Sequence, residues 1–218
     1  MTLRALIFDL DGTLIDSAPD LRTATNKLLR NYNRRDISMN EVKQFVGNGA
    51  AKLIERAFKA TGIEADLADI PKLTNEFLSL YDGHEADETS LYAGVLEILA
   101  TLKDRGFRLA LCTNKPQTPS ENILRDLGIA HFFELVLGGD QLASKKPNPE
   151  MIHWIVNKMK LNVDEALMIG DSPNDIDAAK NAGMRNIAVS YGYRKITIEE
   201  LNADIVIDEF QQLLNHLQ

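Results

Sequence analysis

Cysteine is nearly absent: Cys112 stands alone among 218 residues, so no disulfide can form within the chain. Its place in the run Arg108-Leu-Ala-Leu-Cys112 marks it as an inert thiol of a core strand. Histidine is scarce as well, with four in all, and no His/Cys cluster with the spacing of a zinc site exists. No apolar run approaches the ~20 residues of a membrane span. The N-terminus lacks the basic-then-apolar order of a secretory signal. Positive charge is in deficit: 24 Lys and Arg face 32 Asp and Glu, for a net charge of −8. That balance speaks against nucleic acid and anionic membrane surfaces as partners. Together these absences point to a soluble cytoplasmic protein.

What is present begins at Phe8-Asp-Leu-Asp-Gly-Thr-Leu14, behind the short apolar run Leu3-Arg-Ala-Leu-Ile7. The run is too short for a helix and predicts a strand buried on both faces, with Asp9 at its carboxyl end. In extended chain, positions i and i+2 share a face, so Asp9 and Asp11 aim at one spot, and Gly12 lets the chain turn away. Like charges about 4 Å apart repel by roughly 1 kcal/mol in water and roughly 4 kcal/mol at an effective dielectric near 20. Such a pair persists because a cation joins it or because one member is protonated for acid–base work. A surface turn is the plain alternative, since Asp and Gly are ordinary turn residues. A calcium loop is disfavoured by Leu14, which stands where that pattern wants glycine.

A chain of this length buries roughly 70% of its extended surface, enough for one domain with an insertion or two small ones. From 19 to 88 the apolar spacing is helical throughout, predicting helices over 20–31, 39–45, 50–60 and 67–84, with Gly47-Asn48-Gly49 as a break and Gly62 as a stop. From Leu91 strands and helices alternate. Strands are expected at 107–112, 133–137, 166–169, 187–190 and 205–207, and helices at 95–105, 118–127, 149–160, 174–182 and 210–217. Trp154 falls on one of these helices as a packing residue. This alternation predicts a parallel sheet with helices on both faces, every strand's carboxyl end lying along one rim.

Four rim loops then carry Asp9 and Asp11; Thr113 and Asn114; Lys145 and Lys146; and Gly170-Asp171-Ser-Pro-Asn-Asp175. Singly each is unremarkable, and Asp171 and Asp175 can serve as caps for a helix entered through Pro173. Jointly, four carboxylates without a cation would repel prohibitively. The donors are all hard oxygens, which favours Mg²⁺ over Zn²⁺. A lysine and a hydroxyl beside them suit a phosphoryl group.

The combination Asp9-Leu-Asp-Gly-Thr13, Thr113, Lys146 and Gly170-Asp-Ser-x-x-Asp175 resembles the four motifs of the haloacid dehalogenase superfamily, over nearly the whole chain. Within it, Val46-Gly-Asn-Gly49 with Leu53 and Arg56, Leu91-Tyr-Ala-Gly-Val95, and Gly192-Tyr193 are similar to the phosphoglycolate phosphatases; Ala93 stands where relatives often carry proline. The resemblance implies a Rossmann-like α/β core over 1–15 and 89–218 with an all-helical cap over 16–88. It implies that Asp9 forms an aspartyl phosphate and that Asp11 is the general acid and base. It further implies that Mg²⁺ is held by Asp9, the Asp11 carbonyl and Asp171, and phosphate by Thr113, the Asn114 amide and Lys146, with Asp175 supporting. The cap, through Gly47, Asn48, Gly49 and Arg56 (or Lys52), is expected to select the substrate, 2-phosphoglycolate. A sugar phosphomutase shares every rim residue, and a phospho-accepting receiver domain is the rival from another class. The expected partner is a small phosphorylated metabolite, for a monomer or weak homodimer.

Overall fold

The computed structural model describes residues 2–62, 65–193 and 195–217. Its centre is a parallel sheet of six strands: β1 (Ala5–Phe8), β4 (Arg108–Cys112), β5 (Phe133–Leu137), β6 (Ala166–Gly170), β7 (Arg185–Val189) and β8 (Ile205–Ile207). The order is β5-β4-β1-β6-β7-β8, and Phe8 pairs with Leu111 on one side and Ile169 on the other. The chain leaves β1 for a neighbour on either side, so the crevice where an α/β sheet binds ligands opens at the carboxyl end of β1.

Alternation along β1 builds two cores. Leu6 and Phe8 face a cluster completed by α5 (Val95–Asp104) and a 3₁₀ turn at Phe210–His216. Ala5 and Ile7 face the other cluster, closed by α7 (Glu150–Lys158) and α8 (Pro173–Asn181). Because both faces are covered, the strand carries no polar residue. The remaining core helix that borders the rim is α6 (Gln117–Asp126).

Between β1 and β4 lie α1 (Ala18–Asn31), α2 (Met39–Phe45), α3 (Ala50–Thr61) and α4 (Ile70–Tyr81), which pack around their own apolar cluster of Leu21, Leu28, Ile54, Phe58 and Phe77. The fourth helix is shorter than the expected 67–84, because Asp69 occupies the N-cap and Pro71 the first turn. Asp20 ties the two connectors of this layer together. Its carboxylate accepts the N–H groups of Glu88 and Thr89 and the Thr89 hydroxyl at 2.7–3.0 Å.

Three other features differ from the sequence expectation. Two two-residue strands, β2 (Ile15–Asp16) and β3 (Ser90–Leu91), pair antiparallel where the helical layer leaves and rejoins the sheet; two residues show no period. A short helix, α9 (Ile198–Leu201), is started by a capping box of Thr197 and Glu200. The final segment winds as a 3₁₀ helix rather than an α-helix. Among the described residues no helix is long and apolar enough to cross a membrane.

Candidate active site

Asp9 follows β1, Thr113 and Asn114 follow β4, Lys146 lies in the loop beyond β5, and Asp171 follows β6. Parallel pairing brings all of these to one rim. The Asp9 N–H donates to the Ile169 carbonyl at 2.9 Å, extending the ladder one step and fixing where its carboxylate starts. Asp171 is admitted by glycines. A Cβ on Gly12, whose φ is +88°, would lie 2.5 Å from Asp171 Oδ2, and one on Gly192 would lie 2.2 Å from Asp171 Cβ. Only a bare backbone lets the carboxylate sit there.

Lys146 organises the buried charges. Its Nζ donates to Asp9 Oδ1 at 2.9 Å, to Asp175 Oδ1 at 2.6 Å and to the Cys112 carbonyl, which uses all three of its hydrogens. Burial works against the ammonium, but Asp175 and Asp9 outweigh it and hold Lys146 above its ordinary range. The other oxygen of Asp175 accepts from the Ser172 N–H and hydroxyl at 3.1 and 2.7 Å, so Asp175 caps α8 and orients the lysine at once.

Oxygen atoms of Asp9, Asp171 and Asp175 all lie within 4.8 Å of one another. Burial, then Asp175, pushes the Asp9 carboxyl up to about 7, with Lys146 opposing. Burial, then Asp175 and Asp9, raises Asp171 well above the carboxylate range. Crowded buried carboxyls made of hard oxygens are what a small divalent cation relieves, and the donor set fits Mg²⁺. Both oxygens of Asp175 are engaged, and so are those of Asp171, which accept from the Thr13 hydroxyl at 3.5 Å and the Tyr193 N–H at 2.5 Å.

Asp11 turns its side chain the other way. Its Oδ1 accepts from the Ser17 hydroxyl at 2.5 Å and from Lys115 Nζ at 3.2 Å, and Lys115 also donates to the Tyr81 hydroxyl at 3.0 Å. Lys115 is buried, and sequence reasoning passed over it as a loop residue. Its place two residues beyond Thr113 was the available signal. Thr113 is buried too, its hydroxyl accepting the Lys115 N–H at 3.2 Å.

The Gly47–Gly49 loop is pinned over the rim. The Gly47 carbonyl accepts from Asn114 Nδ2 at 2.9 Å and Asn174 Nδ2 at 3.0 Å, while Asn48 Nδ2 donates to Asn174 Oδ1 at 3.1 Å. Asn114 Nδ2 also donates to the Lys146 carbonyl at 3.0 Å, so its side-chain amide is occupied and any hold on phosphate falls to its main chain. Arg56 braces the loop from α3, donating to the Phe45 carbonyl and to Asn48 Oδ1, each at 2.7 Å. Lys52 is not brought to the site; it forms a surface pair with Glu55 at 2.6 Å. Asp9 and Asp11 form a shared wall between two cavities beneath this loop. One, of about 40 Å³, is mainly apolar and bounded by Leu21, Leu53, Phe77 and Tyr81. The other, of about 230 Å³, reaches the polar side chains of Asp171, Asn174 and Arg56.

A doubly covered parallel sheet with an aspartate-rich rim defines an α/β enzyme scaffold, and the chain belongs to the haloacid dehalogenase-like hydrolase family, which matches residues 6–189. Among particular proteins, it is 41% identical to the phosphoglycolate phosphatase of Colwellia psychrerythraea, over 98% of this chain and 96% of that one. It is also 41% identical to the phosphoglycolate phosphatase of Rhodospirillum rubrum, over 96% and 89% of the two chains. The crystal structure of a predicted phosphoglycolate phosphatase from Haemophilus somnus superposes with a TM-score of 0.94 at 34% identity, covering 100% of this chain and 99% of that one.

Proposed function

We propose that the chain is a Mg²⁺-dependent phosphatase that hydrolyses 2-phosphoglycolate to glycolate and phosphate through an aspartyl phosphate on Asp9. The observation that supports it most is the convergence of Asp9, Asp171, Asp175 and Lys146 in one buried cluster that opens on a roofed cavity. The names carried by its relatives supply the substrate.

Asp9 is the nucleophile in this scheme. Lys146 holds one carboxylate oxygen and leaves the other to attack phosphorus, so a single hard displacement is divided into two. Asp11 gives a proton to the leaving alkoxide and later takes one from the attacking water; Ser17 and Lys115 fix its carboxylate. Thr113 and the Asn114 N–H stabilise charge on the phosphoryl oxygens, joined by Lys146 as its contact with Asp9 is given up. Asp9, Asp171 and the Asp11 carbonyl would hold Mg²⁺, which would supply Lewis-acid neutralisation at the phosphoryl group. The helical unit over 16–88 acts as a cap whose Gly47-Asn48-Gly49 loop and Arg56 shut water out and meet the substrate.

Phosphate release from a dozen phosphomonoesters, with Mg²⁺ and with chelator, tests this. The expected result is metal-dependent release with the highest kcat/KM for 2-phosphoglycolate. Release independent of divalent metal, or none without a bisphosphate activator, contradicts it.

A further inference from the structure

Arg56 lies on α3 of the helical layer and Lys195 on the loop beyond β7, yet both line the 230 Å³ cavity that contains Asp9 and Asp171. The same two side chains also line an outer groove of about 340 Å³ that continues over Phe45 and Lys59. They are therefore the posts of the mouth between groove and site. Among the described residues neither forms a salt bridge with a carboxylate, although Glu55 acts on Arg56 and Asp171 on Lys195 through space. Arg56 donates to two neutral oxygens, and among the described residues Lys195 has no hydrogen-bond or salt-bridge partner. Burial against the wall, then the Arg56 charge, pulls the Lys195 ammonium down to about 8, with Asp171 opposing.

Two cations at one end of the cavity, with no salt bridge to a carboxylate among the described residues, stand on a chain of net charge −8 opposite the crowded carboxylates of the cavity floor. Lys146 offsets part of the floor's charge and Asp171 acts on Lys195 without forming a salt bridge, so each set keeps charge that is not fully paired. A ligand that is anionic at its outer end and bridges to a cation at its inner end satisfies both. Asn48 and Asn174, between the two ends, offer only neutral polar groups.

We propose that Arg56 and Lys195 form a second anion subsite, which binds a carboxylate or comparable anionic group on the leaving-group side of the phosphomonoester. This rests on the phosphatase function proposed above and deepens it. It assigns to Lys195 a specificity role that no motif points to. Lys195 is also the cleaner probe, because Arg56 braces the Gly47–Gly49 loop and its loss would disturb the roof.

The test is calorimetric binding of phosphonoacetate and of methylphosphonate, which differ by one carboxylate, to the Mg²⁺-supplemented wild type, Lys195→Met and Lys195→Arg. The expected result is at least tenfold tighter binding of phosphonoacetate by the wild type. That ratio falls toward one in Lys195→Met and is kept in Lys195→Arg. In parallel, the kcat/KM ratio for 2-phosphoglycolate over p-nitrophenyl phosphate falls about as far in Lys195→Met, through KM. An equal binding ratio in wild type and Lys195→Met overturns the subsite alone. Failure of the wild type to bind either phosphonate or to release phosphate from any ester overturns the phosphatase function, and the subsite with it.

Discussion

The side-chain amide of Asn114, on the sheet rim, donates to the main-chain carbonyl of Gly47, on the helical layer, at 2.9 Å. The same amide serves the Lys146 carbonyl, and Asn114 Oδ1 accepts the Lys146 N–H at 3.0 Å. One residue thus joins the roof of the site to the loop that carries its central lysine. Asn114→Ala leaves the buried Lys146 groups without a partner, at about 1–3 kcal/mol. Urea denaturation should show that loss, and KM should rise more than kcat falls because the roof is no longer tethered.

The metal-free carboxyl cluster makes stability fall as pH rises. Asp9 is raised from 3.8 to about 7 in the folded chain. Between those values the folded state holds a proton that the unfolded state has released, so the slope of unfolding free energy with pH is negative there. A cation that binds ionised carboxylates must displace that proton. Mg²⁺ at about 100 times its Kd should stabilise the fold by ~2.7 kcal/mol. The gain in Tm should be larger near pH 7.5 than near pH 5, read by thermal denaturation with and without chelator.

Gly192 and Gly106 separate two effects of adding a methyl group. At Gly192 it would lie 2.2 Å from Asp171 Cβ, whereas at Gly106, where φ is +83°, nothing lies within 4 Å. Gly106→Ala should cost about 1–2 kcal/mol of backbone strain and keep its response to Mg²⁺. Gly192→Ala should displace Asp171 and lose most of the Mg²⁺-induced Tm shift, together with at least a tenfold loss of phosphatase activity.

Glu41 stabilises the start of α2 by a means independent of the site. Its carboxylate accepts from Arg35 at 2.7 Å and from the Ser38 N–H at 2.8 Å, and these hold it down to about 2. Its contribution is complete above the ordinary value of 4.5 and disappears as pH falls from there through about 2. Glu41→Gln should cost ~1 kcal/mol at neutral pH, the size of a cap. The gap to wild type should close in acid denaturation curves below pH 3.

Residues that end short buried strands were legible because the signal is local. Leu6 to Asp9, or Met168 to Asp171, shows the apolar run and the acid within four positions. The sheet order adds only that these ends lie side by side. Lys115 was not legible, because its partners Asp11 and Tyr81 come from distant segments and a lysine before proline looks like solvated loop. Asn114 was singled out, but its tie to Gly47 depends on how the helical layer sits on the sheet, which no period encodes. The β2–β3 pair is too short to show alternation, and Lys52 and Arg56, one turn apart on the same side of α3, are separated only by the contacts Arg56 makes with Phe45 and Asn48.

The claim that matters most is covalent: phosphorus passes through Asp9. During turnover of 2-phosphoglycolate with Mg²⁺, acid quench and borohydride reduction convert an aspartyl phosphate to homoserine, which peptide mass spectrometry locates. Homoserine is expected at position 9 in the quenched wild type and nowhere without substrate. Full-rate phosphate release with Asp9 unmodified, or homoserine at another aspartate, contradicts it.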